Sequence, residues 1–162
     1  SDPSDFTYRA YNLAKKMHAD FPHISFRFVL GAGYDNHVHK LSDDEACKIK
    51  VVTDIKRVSD ALSDADLAIT SQGRTVYELA AMGVPAIVLA QNERETKHTF
   101  AQMHNGFLNL GMGNQVSDET LEKTFRFVVE TPQIRAEMRN LMLSHDLRKG
   151  IERVKQLILA DE

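Results

Sequence analysis

The sequence holds a single cysteine, Cys47, among 162 residues. An intrachain disulfide framework is therefore excluded and a cysteine-based metal site has no material to work with. That usage fits a reducing, cytoplasmic setting. Tryptophan is absent, and only 4 prolines and 8 glycines are present, so no low-complexity or fibrous class applies. No apolar run approaches the roughly 20 residues that a membrane-spanning helix needs. No basic stretch followed by an apolar one marks a signal peptide. The start at Ser1-Asp2-Pro3 reads as a cut inside a larger protein. A basic surplus is also missing, with 20 Lys and Arg against 23 Asp and Glu and a net charge of -3. Nothing in that balance draws nucleic acid or an anionic membrane, so a phosphate ligand has to be held by local geometry. What remains is ordinary for a globular chain: 43% hydrophobic and 27% charged residues, enough at this length for one domain with a full core.

Along the chain, helical and strand-like patterns alternate. Tyr8 to Ala19 has helical spacing, and Pro22 ends it. Ile24 to Leu30, Lys48 to Val52, Asp66 to Thr70, Pro85 to Leu89 and Phe107 to Leu110 read as strands, the third being nearly all apolar and expected to be buried on both faces. Ile55 to Leu62 and Thr75 to Met82 read as helices, with Gly83 closing the second. Glu95 to Asn105 reads as a helix stopped by Gly106, and Asp43-Asp44-Glu45 as a solvated helix start. Ser117 caps one late helix, Thr131-Pro132 opens another, and Ile151 to Leu159 makes the last. Strand and helix repeated in this way predict an α/β domain over residues 1–162, a Rossmann-like parallel sheet with helices on both faces. Such sheets bind ligands at the carboxyl ends of their strands, here the loops after Leu30, Val52, Thr70 and Leu89.

The loop after Thr70 carries the strongest signal. A buried strand leads through Ser71, Gln72, Gly73 and Arg74 into a helix beginning near Thr75. The first N–H groups of a helix have no internal acceptor, and its dipole favours an anion there. Ser71 and Thr75 add hydroxyls, and Arg74 adds a guanidinium that can fork onto phosphate oxygens. Glu78, one turn in, can accept from two vicinal hydroxyls, as on a ribose. Simple capping by Ser71 and Thr75, with Glu78 a solvated first-turn acid, accounts for the same residues. In the next loop, Gln91, Asn92, Glu93 and Glu95 suit sugar hydroxyls, or equally cap the helix that follows.

The run Ala65 to Ile69, then Thr75, Glu78-Leu79, Gly83-Val84-Pro85 and Asn92, resembles the donor-binding domain of GT-B glycosyltransferases. The peptidoglycan N-acetylglucosaminyltransferase is one relative. The UDP-sugar hydrolases of the pseudaminic acid pathway, with their spore-coat polysaccharide relatives, are more similar. There a Gly-Gly-Ser-Asp-Pro turn follows the first strand, which Ser1-Asp2-Pro3 resembles. The runs from Asn105 to Gly111 and from Lys149 to Val154 are similar too. The resemblance implies the C-terminal half of a GT-B fold, with UDP or a UDP-sugar as ligand and no permanently bound cofactor. Its partners would be a nucleotide-sugar substrate and an N-terminal domain of the same protein that holds the catalytic residues. It implies that Val52 to Ile55, Thr53 and Ile55 among them, border the uracil. Ser71, Gly73, Arg74 and Thr75 would hold the diphosphate, Glu78 the ribose, and Asn92 and Glu93 the sugar. Two departures stand out. Gln72 replaces a second small residue, where it narrows the pocket or reaches the ligand, and Glu93 stands where glutamine is common.

These departures motivate an alternative, a non-catalytic binding or regulatory module fused to a sugar-pathway enzyme such as a cytidylyltransferase. A dinucleotide-binding reading rests on Gly31-Ala32-Gly33, but its third glycine falls on Asn36. Asp35, His37 and His39 lack a further convergent ligand for a metal. His98 reads as a packing residue.

Overall fold

The structure, a computed structural model, describes residues 5–31, 40–53, 55 and 57–145. In chain order the elements are α1 (Phe6–His18), β1 (Phe26–Val29), β2 (Ile49–Val52), α2 (Val58–Leu62), β3 (Ala68–Ser71), α3 (Thr75–Met82), β4 (Ala86–Ala90), α4 (Glu93–Thr96), β5 (Phe107–Met112), α5 (Asp118–Glu130) and α6 (Pro132–Leu143). Strands β1 and β2 pair in parallel, and β3, β4 and β5 form a second parallel sheet in that order. The fold is α/β and Rossmann-like, with helices on both faces. No described helix is long and apolar enough to cross a membrane.

Strand β4 organises the core. All of its residues are buried, and successive side chains point to opposite faces. Ala86 and Val88 pack with Val76, Leu79 and Ala80 of α3 and Met142 of α6. Ile87 and Leu89 pack with Phe6 and Met17 of α1 and Leu121, Phe125 and Val128 of α5. A strand covered on both faces can carry the unbroken apolar run read in the sequence. Helix α3 ends as expected at Gly83, where φ is +69° and the Gly83 and Val84 N–H groups donate to the Ala80 and Leu79 carbonyls. Arg139 of α6 donates to the Gly83 carbonyl at 3.2 Å, tying that turn to the last helix. Ser117 accepts from the Thr120 N–H at the start of α5, and Pro132 opens α6, both as the sequence indicates.

Several expectations are corrected. The segment from Glu95 to Asn105 is not one helix: α4 stops at Thr96, and a 3₁₀ turn spans Met103–Asn105. The carbonyls of His98, Phe100 and Ala101 instead accept from the side-chain amides of Gln72, Asn105 and Asn109. These amides replace the i to i−4 ladder. Asp43 and Asp44 open no helix. Asp44 forms a β-bridge with Ile49, and the Asp43 carboxylate accepts from the Val51 N–H. Helix α2 begins at Val58 rather than Ile55, because Arg57 is extended. Strand β3 is only half-buried beyond Ala68, and among the described residues it pairs with β4 alone. The expected final helix, the Lys149 to Val154 run, the Ser1-Asp2-Pro3 start, and positions Ala32, Gly33, Asp35, Asn36, His37 and His39 lie outside the described residues.

Candidate functional site

The carboxyl end of β3 delivers Ser71 to a short turn, and α3 begins at Thr75. Within that turn the Val76 and Tyr77 N–H groups donate to the carbonyls of Gly73 and Arg74, at 3.4 Å and 3.1 Å. The N–H groups of Gly73, Arg74 and Thr75 find no backbone acceptor among the described residues. Unmatched amides at the start of a helix are what an anion requires. Arg74 is exposed and makes no ion pair among the described residues. Ser71, Thr75 and Glu78 are half-buried on the same strand-turn-helix segment. Beside this helix, Tyr77 is 41% exposed and stacks on Phe100 with ring centroids 4.8 Å apart.

Gln72 departs from its expected role. Its side chain is 1% exposed and donates to the His98 carbonyl, so it points into the protein and not toward the turn's open side. Gly73 does not adopt positive φ, and a Cβ there would meet Ser71 Oγ at 3.6 Å and Glu95 Oε1 at 3.7 Å, ordinary contacts. The turn therefore does not demand glycine for its backbone.

The β4–α4 loop forms the opposite wall. Asn92 is the N-cap of α4, its Oδ1 accepting the Glu95 N–H at 2.9 Å. Glu95 reaches back, and its Oε2 accepts the Gln91 N–H at 2.8 Å. This reciprocal arrangement fixes the loop. It also sets the Glu95 carboxylate toward Gly73, a proximity absent from the sequence-level reading, which treated Glu95 only as part of a polar cluster. Glu93 is exposed in the first turn of α4. Thr53 is exposed and Ile55 half-buried just past the end of β2, in the other sheet, while Asp54 lies outside the described residues. The structure thus brings Ser71, Gly73, Arg74 and Thr75 together with Gln91 and Glu95 and turns Gln72 away. Thr53 and Ile55 lie on a separate strand end.

The chain is homologous to SpsG. It is 30% identical over 124 residues to the spore coat polysaccharide biosynthesis protein SpsG of Bacillus subtilis, covering 75% of this chain and 36% of SpsG. An uncharacterized protein of Methanocaldococcus jannaschii is 33% identical over 97 residues, 57% of this chain and 19% of that protein. The chain thus spans well under half the length of either relative, SpsG included. The crystal structure of Acinetobacter baumannii MurG, a GT-B enzyme, superposes with a TM-score of 0.59 at 16% identity, covering 96% of this chain and 48% of MurG. That likeness establishes the fold. No protein-family model matches the chain.

Proposed function

We propose that the chain is the nucleotide-sugar-binding domain of a larger GT-B-type enzyme acting in surface polysaccharide or nonulosonic acid synthesis. Its ligand is a UDP-sugar. One observation carries the reading: among the described residues, the N–H groups of Gly73, Arg74 and Thr75 have no backbone acceptor at the carboxyl end of a parallel strand. The diphosphate sits on those amides, with the Arg74 guanidinium forking onto its oxygens. Glu78 accepts from the ribose hydroxyls, Thr53 and Ile55 border the uracil, and Asn92 and Glu93 face the sugar. As the anomeric bond breaks, charge gathers on the departing diphosphate, and fixed dipoles at the start of α3 stabilise it. An N-terminal domain of the same protein supplies the catalytic side chains. Homology to SpsG, a polysaccharide biosynthesis protein by name, supports the pathway.

Titration calorimetry with UDP, UDP-N-acetylglucosamine and CDP tests this. The chain binds both uridine ligands weakly, prefers them to CDP, and turns over little alone. Arg74→Ala weakens UDP by about tenfold, the loss of one charge-assisted contact. A folded chain that gives no uridine-dependent heat removes the proposal.

The Glu95 carboxylate beside Gly73 favours a second reading, a non-catalytic module in which this turn holds no anion. Under that reading neither the native chain nor Glu95→Gln binds UDP.

A further inference from the structure

Residues 97–102 run past the turn after β3 without a backbone ladder of their own. The N–H groups of Thr99, Phe100 and Ala101 have no backbone acceptor among the described residues. The carbonyls of His98, Phe100 and Ala101 are held by the side-chain amides of Gln72, Asn105 and Asn109. Two of these ties belong to the β5 end of the segment: Asn105 closes the 3₁₀ turn ahead of β5, and Asn109 lies within β5. Gln72 comes from the other side, from the turn itself, where it stands between Ser71 and Gly73. The segment is therefore a strap, tied at one end to β5 and at the other to the turn. Two further contacts bring the same pieces together. Tyr77 of α3 stacks on Phe100 of the strap with ring centroids 4.8 Å apart. Glu95, just ahead of the strap, sets Oε1 3.7 Å from where a Cβ on Gly73 would lie.

The tie through Gln72 is stiff. Its side chain is buried in close-packed surroundings, with no room to swing to another partner. Hydrogen bonds weaken steeply with misalignment. A shift of the Gln72 backbone therefore either carries the His98 carbonyl along or breaks the bond. That backbone lies directly before the open N–H groups of Gly73, Arg74 and Thr75. A small side chain at position 72 could not reach across, and turn and strap would then move separately. The strap's outer side, Lys97, His98 and Thr99, is exposed, so its order rests on these few ties. We infer that Gln72 is a positioning residue that couples occupancy of the turn to the order of residues 97–102. The inference rests on the reading that the turn takes a diphosphate. An anion holds the three amides in one arrangement, that arrangement fixes Gln72, and Gln72 steadies the strap. Linkage makes the effect reciprocal: the factor that ligand adds to the strap's order is the factor that an ordered strap adds to ligand affinity. A turn already held by its strap loses less freedom on binding. Gln72 thus serves binding while its side chain points away from the ligand.

The test reads amide hydrogen exchange of the native chain with and without UDP, at a concentration that calorimetry shows to be saturating. The His98 and Gln102 N–H groups, which donate to the Glu95 and Phe100 carbonyls, report on the strap. The Phe21 N–H, which donates to the Met17 carbonyl at the end of α1, is the control for global stabilisation. UDP is expected to slow exchange at His98 and Gln102 by about fivefold and to leave Phe21 unchanged. In Gln72→Leu that slowing disappears and UDP affinity falls by about the same fivefold, as reciprocity requires. If the leucine chain does not fold, Gln72→Met takes its place, and the native comparison needs no variant. UDP binding with no slowing at the strap beyond that at Phe21 overturns the inference and leaves the functional reading standing. So does a Gln72→Leu chain that is less stable yet binds UDP as the native chain does, since the bond then serves the fold alone. A folded native chain that gives no heat with UDP removes the functional reading and the inference together.

Discussion

The side-chain amide of Gln72 donates to the main-chain carbonyl of His98, joining the turn after β3 to the segment after α4. Gln72 is buried, so the bond is shielded from water. Replacing it with leucine keeps the volume and removes the donor, leaving a carbonyl without its partner. Gln72→Leu is expected to lower stability by about 1–3 kcal/mol and to speed amide exchange across residues 97–102. Urea denaturation and exchange by mass spectrometry read the two effects. Unchanged values for both would show that the bond does not hold the loop.

Two glycines make opposite predictions. Gly106 has φ +96°, and a Cβ there would lie 2.4 Å from the Met138 carbonyl oxygen of α6. Gly106→Ala must displace a helix backbone, with an expected loss of about 3 kcal/mol or more. Gly73→Ala meets only ordinary contacts, so thermal unfolding should place it within about 0.5 kcal/mol of the native chain. Its methyl group occupies the anion-facing turn, so UDP affinity should fall while stability holds.

Glu95 sets a charge against the proposed ligand while fixing the loop that frames it. Glu95→Gln keeps an acceptor for the Gln91 N–H and deletes the charge. UDP affinity is expected to rise about fivefold, equivalent to the roughly 1 kcal/mol between unit charges near 4 Å in water. Calorimetry at low and high salt should show the difference shrinking as salt rises. A fall in affinity would mean that Glu95 helps the ligand rather than opposing it.

Helices α1 and α5 are laced by charge. Lys16 Nζ lies 2.6 Å from Glu122 Oε1, and Arg126 pairs with both Glu122 and Asp20. The hydrogen bond from Lys16, ahead of the Arg126 contacts, holds the Glu122 carboxyl below the usual glutamate range, and Lys123 does the same for Glu119. A carboxyl lowered in the folded state stabilises above its unfolded pKa. That contribution disappears as pH falls through the lowered value. The urea midpoint should therefore drop between about pH 6 and about pH 3, with a shallower decline in Glu122→Gln. Equal slopes for the two proteins would deny the pair a role in acid sensitivity.

The residues legible from sequence were those whose partners lie nearby or whose environment is uniform. The apolar run through Ile87 and Leu89 fits a strand roofed on both faces, and Gly83, Ser117 and Pro132 mark helix ends through local backbone demands. The strand-turn-helix from Thr70 to Glu78 was visible for the same reason. The segment after Glu95 was not. Its carbonyls are satisfied by Gln72 and Asn109, which sit on other elements, and no periodicity encodes such long-range acceptors. The inward turn of Gln72 and the approach of Glu95 to Gly73 likewise depend on two loops meeting in space. The half-burial of β3, which among the described residues pairs with β4 alone, is not recorded in its own composition.

Strand β4 has a hydrogen-bonded neighbour on each side and no exposed residue, whereas among the described residues β3 is laddered to β4 alone. The two walls of the proposed site therefore hang from supports of unequal stiffness. Local opening begins where backbone bonds face water and reaches doubly paired strands last. The Asn92 wall acts as a fixed anvil, and any adjustment to ligands of different size falls to the Ser71 wall.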